Sequence, residues 1–284
     1  HVQDGAEKCW NCGTQLATSK KKGASTTELR AKQRTNTRVF GVVFKVGDLI
    51  ANRYRVKDIV GSGGAGVVYR AHDQEIDVDV AVKVINAKLV QTADEQRLFS
   101  RQTKIARKLS HQNVVRIYDE GRDEQRPFFT MQFLEGLSLR KIIDLRKEKK
   151  QTFALTEVEP IFNQLCQALE YAHKTTFHGN LKPDNVIVLP DLLKVTDFSL
   201  LRGLPRKPFL AIQKSRGTNF RYLAPEVRLE VPDLDKSVDV YSIGVVLAEM
   251  LTGLVFDDAK PEQLSIAGTG LDASVLSVVK RCVA

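Results

Sequence analysis

From Asp48 onward, apolar and polar positions fall into short regular patterns. "YRVKDIV" and "GVVYRAHD" alternate with period two around a cluster of glycines, and "VDVAVKVIN" is a β-branched run, so three strands are expected in succession. The next stretch, "TADEQRLFSRQTKIARKL", switches to helical spacing. Thr92 and Glu95 stand at capping-box separation at its start, and Leu98, Ile105 and Leu109 are expected to share its buried face. "VVRIYDE" and "PFFTMQF" add two more strands, giving a small sheet of five with one helix. From "LEGLSLRKII" the pattern is mostly helical. Thr156 and Glu159, with Pro160 beside them, read as a second capping box, and Phe162, Leu165, Leu169 and Ala172 follow at helical intervals. The longest apolar run, Val238 to Phe256, contains Asp239 and Glu249 and falls short of the roughly 20 uninterrupted apolar residues that cross a bilayer. It is expected to be a buried helix, and no membrane span is expected. No internal repeat is visible.

Composition changes the picture mainly at the N-terminus. With 284 residues, 43% apolar and 27% charged, the chain can bury a sizeable core. Of the net charge of +9, residues 1–47 carry +6, from nine Lys or Arg against three Asp or Glu. "SKKKGASTTELRAKQRTNTR" has the make-up of a flexible linker, so the organisation expected is a short element at 1–17, a basic linker at 18–47 and a folded domain at 48–284. The chain opens at His1 without an initiator Met or a signal pattern, which predicts a piece of something longer. Four cysteines in a chain of this size do not make a disulfide framework, which predicts a reducing, cytoplasmic setting. Cys9 and Cys12 in "CWNCG" have the spacing that brings two thiolates to one tetrahedral Zn²⁺, and this stretch resembles one knuckle of a zinc ribbon. A closed site needs four ligands, so zinc is expected in a full-length protein that supplies the second pair.

"GSGGAG" sets Gly61, Gly63 and Gly66 between two strands with no helix directly after, the arrangement of a hairpin whose backbone N–H groups fold over phosphates rather than of a dinucleotide-binding turn. Lys83 follows on a strand between apolar neighbours, where a lone cation is costly unless a phosphate or carboxylate meets it. "LSHQNVVRIYD", "FLEG", "LKPDN", "VTDFS", "LAPE" and "DVYSIGVVLAEMLTG" then occur in order. With these motifs the chain resembles the protein kinases, most like the bacterial branch of the eukaryotic-type Ser/Thr kinases, from Asp48 to the end. The resemblance implies an α+β fold of two lobes, about 48–133 and 134–284, with ATP in the cleft between them. It implies that Lys83 meets the α- and β-phosphates, that Asn185 and Asp197 hold Mg²⁺, and that Lys182 lies near the γ-phosphate. Met131 would be the gatekeeper, backbone groups of Gln132 to Leu134 would bond adenine, and Val68, Ala81 and Ile187 would sandwich its ring.

Several positions depart from that pattern. Where active relatives read His-Arg-Asp, this chain has His178, Gly179 and Asn180. An amide can hydrogen-bond a hydroxyl but cannot accept its proton at neutral pH, and general-base help is typically worth about 10² to 10⁴ in rate. Gly179 removes the Arg that helps bind an activation-segment phosphate, and "FSLLRGLPRKPFLAIQKS" offers only Ser199 and Ser215 as hydroxyls. Gln102 stands where the family has the helix Glu that pairs with the strand Lys. Ala106 replaces a larger apolar residue in the spine with His178, Phe198 and Ile117, and Ser199 replaces the last Gly of Asp-Phe-Gly. The sequence ends before the Asp-Pro-x-x-Arg element whose Arg pairs Glu226 in relatives, which is a further departure only where the natural protein ends there too.

These features together predict a pseudokinase, a kinase fold that keeps much of the nucleotide cradle and acts through a protein partner such as an active kinase or another signalling protein. An unorthodox active kinase is the alternative, since Lys83, Lys182, Asn185 and Asp197 remain. A nucleic-acid or membrane-surface module is the weaker third reading, resting only on the basic tail and the lone knuckle.

Overall fold

The structure, a computed structural model, describes residues 43–215, 217–257 and 271–284. Cys9, Cys12 and nearly all of the basic linker lie outside the described residues. The first lobe is an antiparallel sheet of β1 (Leu49–Ile50), β2 (Tyr54–Ser62), β3 (Gly66–Asp73), β4 (Val78–Ile85), β5 (Ile117–Asp123) and β6 (Arg126–Gln132), in the order β1-β2-β3-β4-β6-β5. The five expected strands are present, and two residues of β1 extend the edge to six.

β4 shows why the sheet is built this way. It pairs with β3 on one side and β6 on the other, so its side chains alternate between two buried faces. Val80, Val82 and Val84 pack with Tyr54, Val67, Tyr69 and Phe128. Ala81 and Ile85 belong to the core shared with the second lobe, and the same alternation turns Lys83 toward that side. Phe44 covers the outer face, edge-on to Tyr69 at 5.9 Å, so the described fold begins ahead of Asp48.

The helix α1 (Ala93–Arg107) starts at the predicted capping box: Thr92 Oγ1 accepts from Glu95 N, and Glu95 Oε2 accepts from Thr92 N at 2.9 Å. Its buried face differs from the expected one. Phe99, Gln102, Thr103 and Ala106 are buried, whereas Leu98 is 39% exposed and Ile105 only half-buried. Two of the four inward positions are polar, so apolar spacing alone pointed to the wrong side of the helix. Leu109 is buried, but just beyond the helix end.

The second lobe contains α2 (Leu139–Glu148), α3 (Leu155–Ala172), α4 (Arg206–Ser215), the short α5 (Pro225–Arg228), α6 (Ser237–Thr252) and α7 (Ala273–Cys282). α3 begins earlier than Thr156 and Glu159 suggest. Ala154 is the cap, Glu157 Oε2 accepts its N–H at 2.8 Å, and Arg146 holds Glu157 in a two-point ion pair, so the capping carboxylate is one helix position set by a neighbouring element. Leu165, Leu169 and Ala172 are buried as expected, and Phe162 is half-buried. α6 is buried almost throughout, with Gly253 closing it at φ +73. Among the described residues no helix is long and apolar enough to cross a membrane. A small sheet of β7 (Leu137–Ser138), β8 (Val186–Val188) and β9 (Leu193–Val195) lies where the lobes join.

The α1 face yields a direct test. Phe99→Ala should cost about 3–5 kcal/mol, whereas Leu98→Gln should change stability by no more than about 0.5 kcal/mol. Urea melts that gave the reverse order would put the helix the other way round.

Candidate functional site

The hairpin between β2 and β3 carries the glycines. Gly63 N–H donates to the Gly66 carbonyl at 2.7 Å, closing the turn. At Gly66 any Cβ would lie 2.0 Å from the Val84 carbonyl oxygen, so only glycine lets β3 approach β4 there. Gly61 faces open space. Val68 pairs with Lys83 across β3 and β4, and Ala81 pairs with Met131 across β4 and β6. This register gathers Val68, Ala81, Met131 and Lys83 on one side of the sheet, while Ile187 lies on β8, paired with Ser138 and Lys194. The chain crosses between lobes at Gln132 to Leu134. Gln132 N–H is taken by the Arg116 carbonyl, while among the described residues the backbone N–H and C=O of Leu134 make no hydrogen bond to protein.

Lys83 is 7% exposed, and its Nζ is paired with Asp197. Gln102, the neutral residue at the helix position that resemblance pairs with this lysine, makes no such bond: its Oε1 is buried without a hydrogen-bond partner. Packing explains the difference. The turn at Leu201–Gly203 is pressed against α1, where a Cβ on Gly203 would stand 3.2 Å from Gln102 Cβ and 3.4 Å from Phe99 Cα. Asp197 and Ser199 both have left-handed backbones, with φ +68 and +60. At Ser199 this costs about 1–2 kcal/mol relative to glycine, partly offset by the 2.5 Å contact between its hydroxyl and that of Thr176.

The loop from Phe177 to Asn185 is fastened to α6. Asp239, fully buried, accepts from the backbone N–H groups of His178 and Gly179, each at 2.7 Å, and lies 2.9 Å from His173 Nε2. Gly179 has φ +77, and a Cβ there would meet Leu201 at 2.9 Å, so glycine suits both the turn and the packed activation segment. His178 donates from Nε2 to the Thr196 carbonyl at 2.8 Å and accepts the Asn180 N–H at Nδ1, which defines a neutral tautomer with both nitrogens used. Its ring lies 4.9 Å from that of Phe198, which belongs to a core that includes Ala106 and Ile117. Asn180 is 6% exposed; its carbonyl accepts from Asn185 Nδ2 at 2.9 Å, and its own Oδ1 has no hydrogen-bond partner. Lys182 is buried in the same loop.

Sequence reading missed α4. It runs through the activation segment with Phe209, Leu210 and Gln213 inward, and it reaches the glycine hairpin: a Cβ on Gly64 would stand 2.8 Å from Ile212 and 2.9 Å from Gln213. Pro208 in the first turn and the apolar pair behind it were the available signals, but ten residues are too few for periodicity to separate such a helix from a loop.

The Protein kinase domain family matches residues 54–270 of this chain. The chain is a member of that family. Its similarity to curated proteins runs to bacterial Ser/Thr kinases. A probable serine/threonine-protein kinase of Clostridium acetobutylicum is 32% identical over 75% of the chain and 32% of its own length. Serine/threonine-protein kinase A of Synechocystis is 34% identical over 72% and 41%. PrkC of Bacillus subtilis is 31% identical over 82% and 35%. The kinase domain described here therefore spans about a third to two fifths of these relatives. Among solved structures, the kinase domain of Mycobacterium tuberculosis PknI superposes with a TM-score of 0.69 at 22% identity, covering 85% of this chain and 90% of that one, which shows the two-lobed fold.

Burial holds His178 below the ordinary histidine pKa, against the opposing pull of Asp239 and Asp197. In the unfolded chain it takes up a proton below about pH 6.5, whereas in the folded chain it does so only at a lower pH. The unfolded state then binds more protons, so stability should fall as pH drops through that point. His111, also held low by burial, adds to the slope. Urea melts of His178→Gln should show a shallower loss between about pH 7 and 5 than the parent; an identical slope would remove His178 as its source.

Proposed function

We propose that this kinase domain is a pseudokinase that binds nucleotide weakly and regulates a protein partner, with little or no phosphoryl transfer. The observation that carries the reading is Asn180. It is buried at the position where active relatives use a carboxylate, its Oδ1 meets no donor, and an amide has no basic site for the substrate proton. The Lys83–Asp197 pair and the packing of α4 beneath the glycine hairpin support it, because both must rearrange before phosphates and metal can be held.

The residues fit a nucleotide base. Ala81 and Met131 are buried and would form the floor for the base, Val68 and Ile187 would flank it, and the unbonded backbone of Leu134 can pair with adenine. Gly61, Gly63 and Gly66 would close over phosphates, and Lys83 would exchange Asp197 for phosphate oxygens. Asp197, so released, would hold Mg²⁺ with Asn185. ATP supplies the transferable phosphoryl group, while the chain supplies the binding and the charge. The retention of Lys83, Lys182, Asn185 and Asp197 favours the second reading, an unorthodox active kinase, since phosphoryl transfer rests mostly on positioning and electrostatics.

Radiolabelled ATP separates the two. The purified protein should incorporate far less than one phosphate per chain and label generic acceptors poorly; saturable, stoichiometric incorporation lost in Lys83→Met would establish the active kinase instead. Asn180→Asp alone should restore little, because Gln102 gives Lys83 no countercharge.

Thermal shift tests the cradle. Ligand at 100 times its dissociation constant stabilises by about 2.7 kcal/mol, so millimolar ATP should raise the melting temperature, and Lys83→Ala should abolish the rise. Ile212→Ser, which loosens α4 from the hairpin, should tighten ATP in proportion to the added open population. No shift in either protein would leave a scaffold without a working cradle.

A further inference from the structure

The outward face of α1 carries a stripe of cations that nothing in the nucleotide site requires. Arg97, Arg101, Lys104 and Lys108 follow at intervals of four, three and four. At 100° per residue they fall within about 60° of arc, directly opposite the inward face made by Phe99, Gln102, Thr103 and Ala106, and they span about 16 Å along the axis. With Ala93, Gln96, Ser100 and Ile105 they line one shallow surface groove. Arg97 is paired with Asp94, and Lys104 lies 3.6 Å from Glu120. Among the described residues, Arg101 and Lys108 form no ion pair.

Such a stripe costs the helix stability. Arg97 with Arg101 and Lys104 with Lys108 are like charges at i,i+4, and Arg101 with Lys104 is one at i,i+3, each unfavourable by about 0.2–0.5 kcal/mol. An external anionic partner turns that repulsion into attraction. Beside the cations, Leu98 is 39% exposed and Ile105 half-buried, one above the other on the same flank. A partner made only of phosphates would leave this apolar pair in water, whereas a peptide with acidic and aliphatic side chains covers both. The basic N-terminal tail of this chain has the wrong sign to be that partner.

We infer that the outward face of α1 is a docking surface for an acidic segment of a partner protein, with Arg101 and Lys108 as its charged anchors and Leu98 and Ile105 as its apolar ones. The inference deepens the reading of a regulatory domain and rests on it for the role of the partner. The contact is felt in the cleft, because the opposite face of the same helix holds Phe99 and Gln102 against the turn at Leu201–Gly203.

The test uses the full chain and a fluorescein-labelled synthetic peptide in which glutamate and leucine alternate in helical blocks, read by anisotropy without nucleotide. Binding should be saturable and weaken at high salt. The double variant Arg101→Glu, Lys108→Glu should lose at least tenfold in affinity, Leu98→Ser should lose less, and Arg101→Lys with Lys108→Arg should keep it. Lys20, Lys21 and Lys22 changed to Glu should also leave binding intact. Arg101 and Lys108 lie on the solvent face, so melting temperatures that do not fall separate lost docking from lost folding. Peptide binding that ignores the double variant overturns the proposal, as does equal binding of a lysine-and-leucine peptide. Binding of anionic vesicles or duplex DNA through Arg101 and Lys108 without peptide binding also overturns it, in favour of a membrane or nucleic-acid surface. Because no ATP is present, a negative result leaves the phosphoryl-transfer assay, and the pseudokinase reading it tests, untouched.

Discussion

An ammonium group on the inner face of a central strand must find a negative partner, because a buried unpaired charge costs several kcal/mol. Lys83 is in that position, and across the cleft Asp197 meets it. In this chain the helix that could have competed for Lys83 presents Gln102, which can offer a hydrogen bond but no countercharge. The ion pair therefore joins β4 of one lobe to the segment after β9 of the other. The turn at Leu201–Gly203 packs beside Gln102 and Phe99 of α1. Once that turn is seated, α4 follows it to the underside of the glycine hairpin.

The loop carrying Asn180 is held by a second constraint independent of the first. Asp239 reaches out of α6 to the backbone N–H groups of His178 and Gly179, which fixes the loop that carries Asn180. Among the described residues, buried side-chain oxygens without a hydrogen-bond partner include Gln102 Oε1 on α1, Asn180 Oδ1 in this loop and Gln213 Oε1 on α4, and also Asn113 Oδ1, Glu120 Oε2 and Asp184 Oδ2. Each such atom costs about 1–3 kcal/mol. Left-handed Ser199 adds to the cost.

Much of the site was legible because its signals are local. Three glycines between two strands, a lysine within a β-branched run and an amide inside "HGNLKPDN" can each be recognised within a dozen residues. The capping box at Thr92 was legible for the same reason. The box at Thr156 and Glu159 was not the one used, since Arg146 on another helix and the Phe153 N–H bond to the Met250 carbonyl fix where α3 begins. Leu98 misled for a related reason: apolar spacing marks the buried face only when the buried face is apolar, and here Gln102 and Thr103 share it.

By itself, then, the sequence determined the five successive strands of the first lobe with their helix, the glycine hairpin, the strand position of Lys83 and the amide at Asn180. All of these follow from backbone periodicity and from the chemistry of single side chains. Only the tertiary structure decided which carboxylate Lys83 meets, which face of α1 is buried, and that the activation segment coils into α4 against Gly64. Those outcomes depend on residues far apart in the chain competing for the same buried volume and the same charge, and no local pattern records who wins that competition.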